Sequence, residues 1–184
     1  LSLATGLNGG RQVSRVSEAY ALLLKNAGPY DTAAEMFARQ RAYLERARSF
    51  TRSILPLPVD ETCAVEDIPE NLRASWPWGG YGGFDRHSRP IQGYMFLNST
   101  NISAITDGWL KMMALHEAYP GHHCQMVRAE TDPLPKTFRI GAKGTPLLEG
   151  TAHRSEKVYE GLFEEDPWFP LFVAYRRHHT SVRV

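Results

Sequence analysis

The chain has 184 residues, enough for one domain with a substantial core. Lys and Arg number 21 against 20 Asp and Glu, so the formal net charge of +1 gives no electrostatic basis for nucleic acid or an anionic membrane as partner. No apolar run approaches the roughly 18 residues that span a bilayer, and Cys63 and Cys124 are too few for a disulfide scaffold and read as reduced, core-type thiols.

Residues 1–10 are small and Gly-rich and read as an unstructured lead. From Gln12 to Ala27 apolar residues recur at helical spacing until Asn26-Ala27-Gly28-Pro29 stops them. Thr32 with Glu35 reads as a capping box opening a second helix, which Pro56 and Pro58 end. Together these make an expected helical hairpin over 11–58. Arg39, Arg41, Arg46, Arg48 and Arg52 read as its solvated face. Val59 to Val65 suits a strand. Ile91 to Asn98 suits a better one, with Gln92, Tyr94, Phe96 and Asn98 on one face and Ile91, Met95 and Leu97 on the other. Trp76 to Phe84 reads as a loop by its glycines, with 79–83 a candidate lid. Helices follow at about 103–129 with a break at Pro120-Gly121, about 146–165 opened by Thr145-Pro146, and about 168–180. The expected fold is mainly α with a small β-element, residues 59–184 forming a metal-binding catalytic segment.

The chemistry concentrates in His116-Glu117-Ala118-Tyr119-Pro120-Gly121-His122-His123. In an HExxH helix, residues i and i+4 share a face and bind zinc while the Glu acts as general base. Here position i+4 is Pro120, and the next histidines stand at i+6 and i+7. On a regular helix i+7 lies about 10 Å further along the axis, too far for two nitrogens each about 2 Å from one ion. The helix must therefore deform, and Pro120-Gly121 is the place for a two-residue bulge. Such a bulge brings His122 to the metal, with His123 the alternative. Glu149 on the next helix is the preferred third ligand and Glu156 the alternative; His153 would orient Glu149 or touch substrate. Zinc held so activates water and polarises a carbonyl, with Glu117 as the proton carrier. Candidate oxyanion donors are Tyr94, Tyr119, Tyr175, His178 and His179, of which Tyr94 and His179 join Glu117 as the catalytic candidates. The strand ending at Asn98 could hold an extended peptide by edge pairing.

The run His-Glu-Ala-Tyr-Pro-Gly-His-His-Cys-Gln at 116–125 resembles the HEAYPGHHLQ-type motif of the bacterial domain-of-unknown-function family 885. Gly93 to Asn98 resembles the strand before that motif, and Leu148 to Glu156 its downstream EGWALYAE segment, with Thr151, His153 and Arg154 in place of Trp, Leu and Tyr. The resemblance covers roughly 55–165. It implies a zincin-like helical segment distantly related to zinc peptidases whose third ligand is glutamate. It also implies a larger helical protein, so a fragment, completed by the remainder of its chain or by a second subunit, is expected. The expected activity is zinc-dependent peptide hydrolysis. Its alternatives are a non-catalytic metal-binding or helical interaction domain and a metal-dependent amidase. Compartment is left open, with the cytoplasm slightly favoured because no signal-peptide pattern opens the chain.

Overall fold

In the computed structural model, which describes residues 1–182 apart from 86, 134, 136 and 138–143, the opening segment is ordered into α1 (Ser2–Leu7). The expected unstructured lead is thereby corrected. Ala4 is fully buried, and Thr5 Oγ1 accepts a hydrogen bond from the Val13 amide at 3.0 Å. Tertiary burial outweighs the weak local preference of a Gly-rich stretch.

α2 (Val16–Ala27) begins four residues later than its spacing predicts. The Glu18 carboxylate accepts from the Ser14 and Arg15 amides at 2.9 and 3.2 Å, satisfying donors ahead of the first turn. α3 (Ala33–Ile54) is capped by Thr32, whose hydroxyl accepts from the Glu35 amide. Its inward stripe of Met36, Gln40, Leu44, Ala47 and Thr51 follows helical spacing. The arginine face is only partly solvated, since Arg48 and Arg52 turn onto the buried Glu61.

β1 (Thr62–Asp67), β2 (Gly79–Phe84) and β3 (Gln92–Leu97) form a sheet of order β1-β3-β2, with β1 parallel and β2 antiparallel to β3. Gly93, Met95 and Leu97 are buried while Gln92, Tyr94 and Phe96 are half-buried, the alternation expected of this strand. Two expectations are corrected here. The glycine segment 79–84 is a strand, not a loop. At Gly79 (φ +117°) a Cβ would stand 2.1 Å from the Phe96 carbonyl oxygen, and at Gly82 2.3 Å from the Phe96 ring. Its glycines allow close approach rather than mobility. β3 is the central strand and has no free edge for a peptide; the free edge nearest the motif helices is that of β2.

α4 (Asp107–Met113) is capped by Thr106 and runs into a π-helical turn (Ala114–Ala118). α5 (His122–Thr131), α6 (Thr145–Val158) and α7 (Phe169–Ser181) follow. α2 packs on α7, with Tyr20 and Tyr175 stacked at 4.8 Å, whereas α3 packs on α4, β1 and the π turn. One core continues from Ala4 to Val173, so no break in packing separates 11–58 from 59–184. The protein is mainly α with a small three-stranded sheet. No described helix is long and apolar enough to cross a membrane.

Candidate metal centre

The deformation demanded by the motif spacing has two parts. At the π turn the Tyr119 amide donates to the Ala114 carbonyl, five residues back, at 2.8 Å. The backbone then leaves the helix at Tyr119 (φ −127°, ψ 113°), passes Pro120 and Gly121, and restarts at His122. A Cβ on Gly121 would lie 1.8 Å from the His116 carbonyl oxygen, so the restart sits directly on the preceding turn and only glycine fits. The His116 and His122 rings meet at 4.8 Å and 85°.

Glu149, from α6, faces both. His116 Nε2 lies 3.5 Å from one of its carboxylate oxygens and His122 Nε2 lies 3.5 Å from the other. Two ligand atoms each about 2.0–2.1 Å from a tetrahedral ion stand about 3.3–3.4 Å apart, close to the separation of Glu149 from each imidazole. Glu117 lies further off, 3.9 Å from each Nε2, although His116, Glu117 and His122 also bring an atom apiece within 4.8 Å of one another. Glu149 thus stands closer to the two Nε2 atoms than Glu117 does. Glu156 occupies the opposite side of His116, 2.6 Å from Nδ1, and also meets His153 Nδ1 at 3.0 Å. It lies on the Nδ1 side of His116, away from Nε2, and His116, His153 and Glu156 likewise bring one atom apiece within 4.8 Å of one another.

Charge follows this geometry. Burial would lower the His116 pKa, but hydrogen bonds to Glu149 and Glu156 and the charge of Glu117 raise it to about 9. His122 is pulled down to about 4 by burial and by the neighbouring His116 charge. The hydrogen bond from His116 holds Glu149 below the ordinary carboxylate range. Burial raises Glu117, even though the Tyr81 amide donates to its carboxylate. One side of the site thus favours a charged carboxylate and the other a carboxyl that readily accepts a proton.

His123 points elsewhere, with both nitrogens engaged: Nε2 meets Glu61 at 2.9 Å and Nδ1 meets the Tyr81 hydroxyl at 2.9 Å. Glu61 is fully buried and also binds Tyr119 OH at 2.6 Å, Arg48 Nε at 3.2 Å and Arg52 at 2.8 Å. Against its burial, the hydrogen bonds from His123, Tyr119 and Arg52 lower its pKa to about 2. Sequence reasoning missed Glu61 and Tyr81. The available signal was Arg48 and Arg52, one helical turn apart on one face, which a buried carboxylate could answer. Tyr119 is committed to Glu61. Tyr94 is half-buried in central β3, across from Gly83 and Ala64. His178 is exposed on α7, while Tyr175 and His179 line a cavity whose walls include neither His116, His122 nor Glu149. Both cysteines are free, and burial pushes the Cys124 thiol up to about 12.

The model of the family described as bacterial protein of unknown function (DUF885) matches residues 3–183. The chain belongs to DUF885. A crystal structure described as "the putative lipoprotein from Colwellia psychrerythraea" superposes on this DUF885 chain with a TM-score of 0.75 and 23% identity, over 92% of this chain and 30% of that one. The likeness is one of fold, and the chain spans less than a third of that structure's length. No curated protein matches.

Proposed function

We propose that this chain carries the active site of a zinc-dependent peptidase. The observation that carries the reading is the single carboxylate of Glu149 reaching Nε2 of both His116 and His122 at 3.5 Å. His116, His122 and Glu149 would hold the ion, leaving the fourth position open as catalytic zinc sites do. Zinc bound there supplies a Lewis acid and lowers the pKa of water toward 7. Glu117, 3.9 Å from both imidazoles and raised by burial, takes the proton of the attacking water and delivers it to the leaving amine. The Tyr81 amide, donating to the Glu117 carboxylate, fixes its aim. The free edge of β2, which packs beside α5 and the π turn, offers main-chain partners for an extended peptide.

The test is zinc titration of the chain together with cleavage of a mixed-peptide library. One zinc per chain and cleavage are expected. Glu117→Gln should keep the zinc and lose cleavage by a factor of about 10² or more. Cleavage by that variant at the parent rate would remove Glu117 from its role. Zinc binding without any cleavage by the parent would move the reading to a metal-binding domain.

A further inference from the structure

Tyr81, on β2, is held at both ends. Its amide donates to the Glu117 carboxylate. Its hydroxyl meets His123 Nδ1 at 2.9 Å, the two rings standing edge to face with centroids 5.6 Å apart at 67°. The other imidazole nitrogen meets Glu61 at 2.9 Å, and His123 and Glu61 are both fully buried. An ionised carboxylate only accepts, so Nε2 carries its proton on this contact and the ring is fixed with Nδ1 turned to the phenol. The same carboxylate takes the Tyr119 hydroxyl at 2.6 Å and the side chains of Arg48 and Arg52 at 3.2 and 2.8 Å. One buried anion thus ties α3 to residues on both sides of Pro120-Gly121 and, through His123, to β2.

The strand beside β2 makes room for these contacts at one position. Gly93 on β3 does not have a positive φ, so its backbone does not call for glycine. A Cβ there would stand 2.3 Å from His123 Nδ1 and 2.8 Å from the Tyr81 hydroxyl. The missing side chain is the space in which imidazole and phenol meet. Next to it the β2–β3 register shifts between Tyr81 and Gly83, a bulge of the kind that re-aims a side chain beside a functional site. A glycine inside a strand and a buried carboxylate both cost stability, and what they secure here is the place of one amide beside Glu117. We propose that Tyr81 is a positioning residue for Glu117: His123 and Glu61 hold its hydroxyl, and its amide thereby stays on the Glu117 carboxylate. The consequence for catalysis rests on the peptidase reading, whereas the link from hydroxyl to amide does not. A general base displaced by about 1 Å loses on the order of 10²-fold in rate.

Tyr81→Phe removes the hydroxyl and keeps the ring and the amide. Hydrogen exchange of the amide at position 81, followed with or without zinc, should quicken about five- to tenfold, the weight of one buried hydrogen bond. The amides of β1 and α4 should keep their parent rates. Gly93→Ala forces His123 and the phenol apart with both groups intact and should quicken the same amide, and combining the two substitutions should add little more. If Gly93→Ala fails to fold, Tyr81→Phe alone decides. Parental exchange at position 81 would overturn the proposal. So would a rise matched across β1 and α4, because the hydroxyl would then serve stability alone. Where the parent cleaves peptides, Tyr81→Phe should lower kcat about tenfold or more with KM and zinc affinity at their parent values, and an unchanged kcat would also overturn it. A parent that cleaves nothing removes the peptidase reading, and the exchange rates still decide whether the hydroxyl holds the amide.

Discussion

His122 and His123 are adjacent, yet the first directs Nε2 at Glu149 and the second is locked between Glu61 and Tyr81. Substitution should separate them. His122→Ala removes a proposed ligand and should cost zinc affinity beyond the roughly 10–100-fold expected for losing a supporting group. Glu156→Gln removes such a support from His116 Nδ1 and should fall within that range. His123→Ala leaves the three proposed ligands in place but strips Glu61 of a buried partner, so the loss should appear as stability, about 3 kcal/mol or more. Calorimetric zinc titration and thermal unfolding of the three variants check this pattern. A His123→Ala protein that unfolds like the parent but loses zinc would reverse the assignment of the two histidines.

At the level of elements, the candidate metal site depends on how the helix is interrupted. Gly121 seats its α-carbon against the His116 carbonyl, and an added methyl at 1.8 Å can be relieved only by moving α5 off the π turn. Gly121→Ala should therefore destabilise by about 1–3 kcal/mol or more and weaken zinc binding at the same time. Gly150 on α6 meets nothing within 4 Å, and Gly150→Ala should be neutral or stabilising by up to ~1 kcal/mol. Zinc affinity measured alongside urea midpoints distinguishes a shifted helix from a merely strained one. That the helix must deform was legible from the spacing of His116 and His122 alone. The π turn was not, because Ala114-Leu115-His116-Glu117-Ala118 consists mostly of good helix formers and the irregularity is imposed by what returns over it. β2 escaped notice for a related reason: glycine content signals a loop locally, whereas here Phe96 on the neighbouring strand requires it. Glu61 carried no local mark at all, since its partners arrive from residues 48, 52, 119 and 123.

Across the whole molecule, two buried charge networks tie distant parts of one core. Asp107 takes Tyr43 OH at 2.6 Å, Tyr30 OH, and the Lys111 ammonium at 2.6 Å, and Lys111 reaches on to Asp166 at 2.6 Å. Despite burial, hydrogen bonds from Lys111, Tyr30 and Tyr43 hold Asp107 below the usual carboxylate range. Glu61, at about 2 against an ordinary 4.5, anchors α3 to Tyr119 and His123 beside the candidate metal site. A carboxylate whose folded pKa is depressed binds fewer protons folded than unfolded, so its contribution is complete above the unfolded value and disappears as pH falls through the folded one. In the metal-free protein the depressed His122 should already cost stability as pH falls from about 6.5 toward 4, and Glu61 should add a further, steeper loss from about pH 4.5 toward about pH 2. Glu61→Gln should be less stable near neutrality by about 3–5 kcal/mol, since Arg48 and Arg52 lose their buried counter-charge, and its acid limb should be shallower. Urea midpoints across that range, parent against variant, measure both effects. An acid limb of unchanged slope in Glu61→Gln would place the acid sensitivity in the Asp107 network instead, and Asp107→Asn would then flatten it.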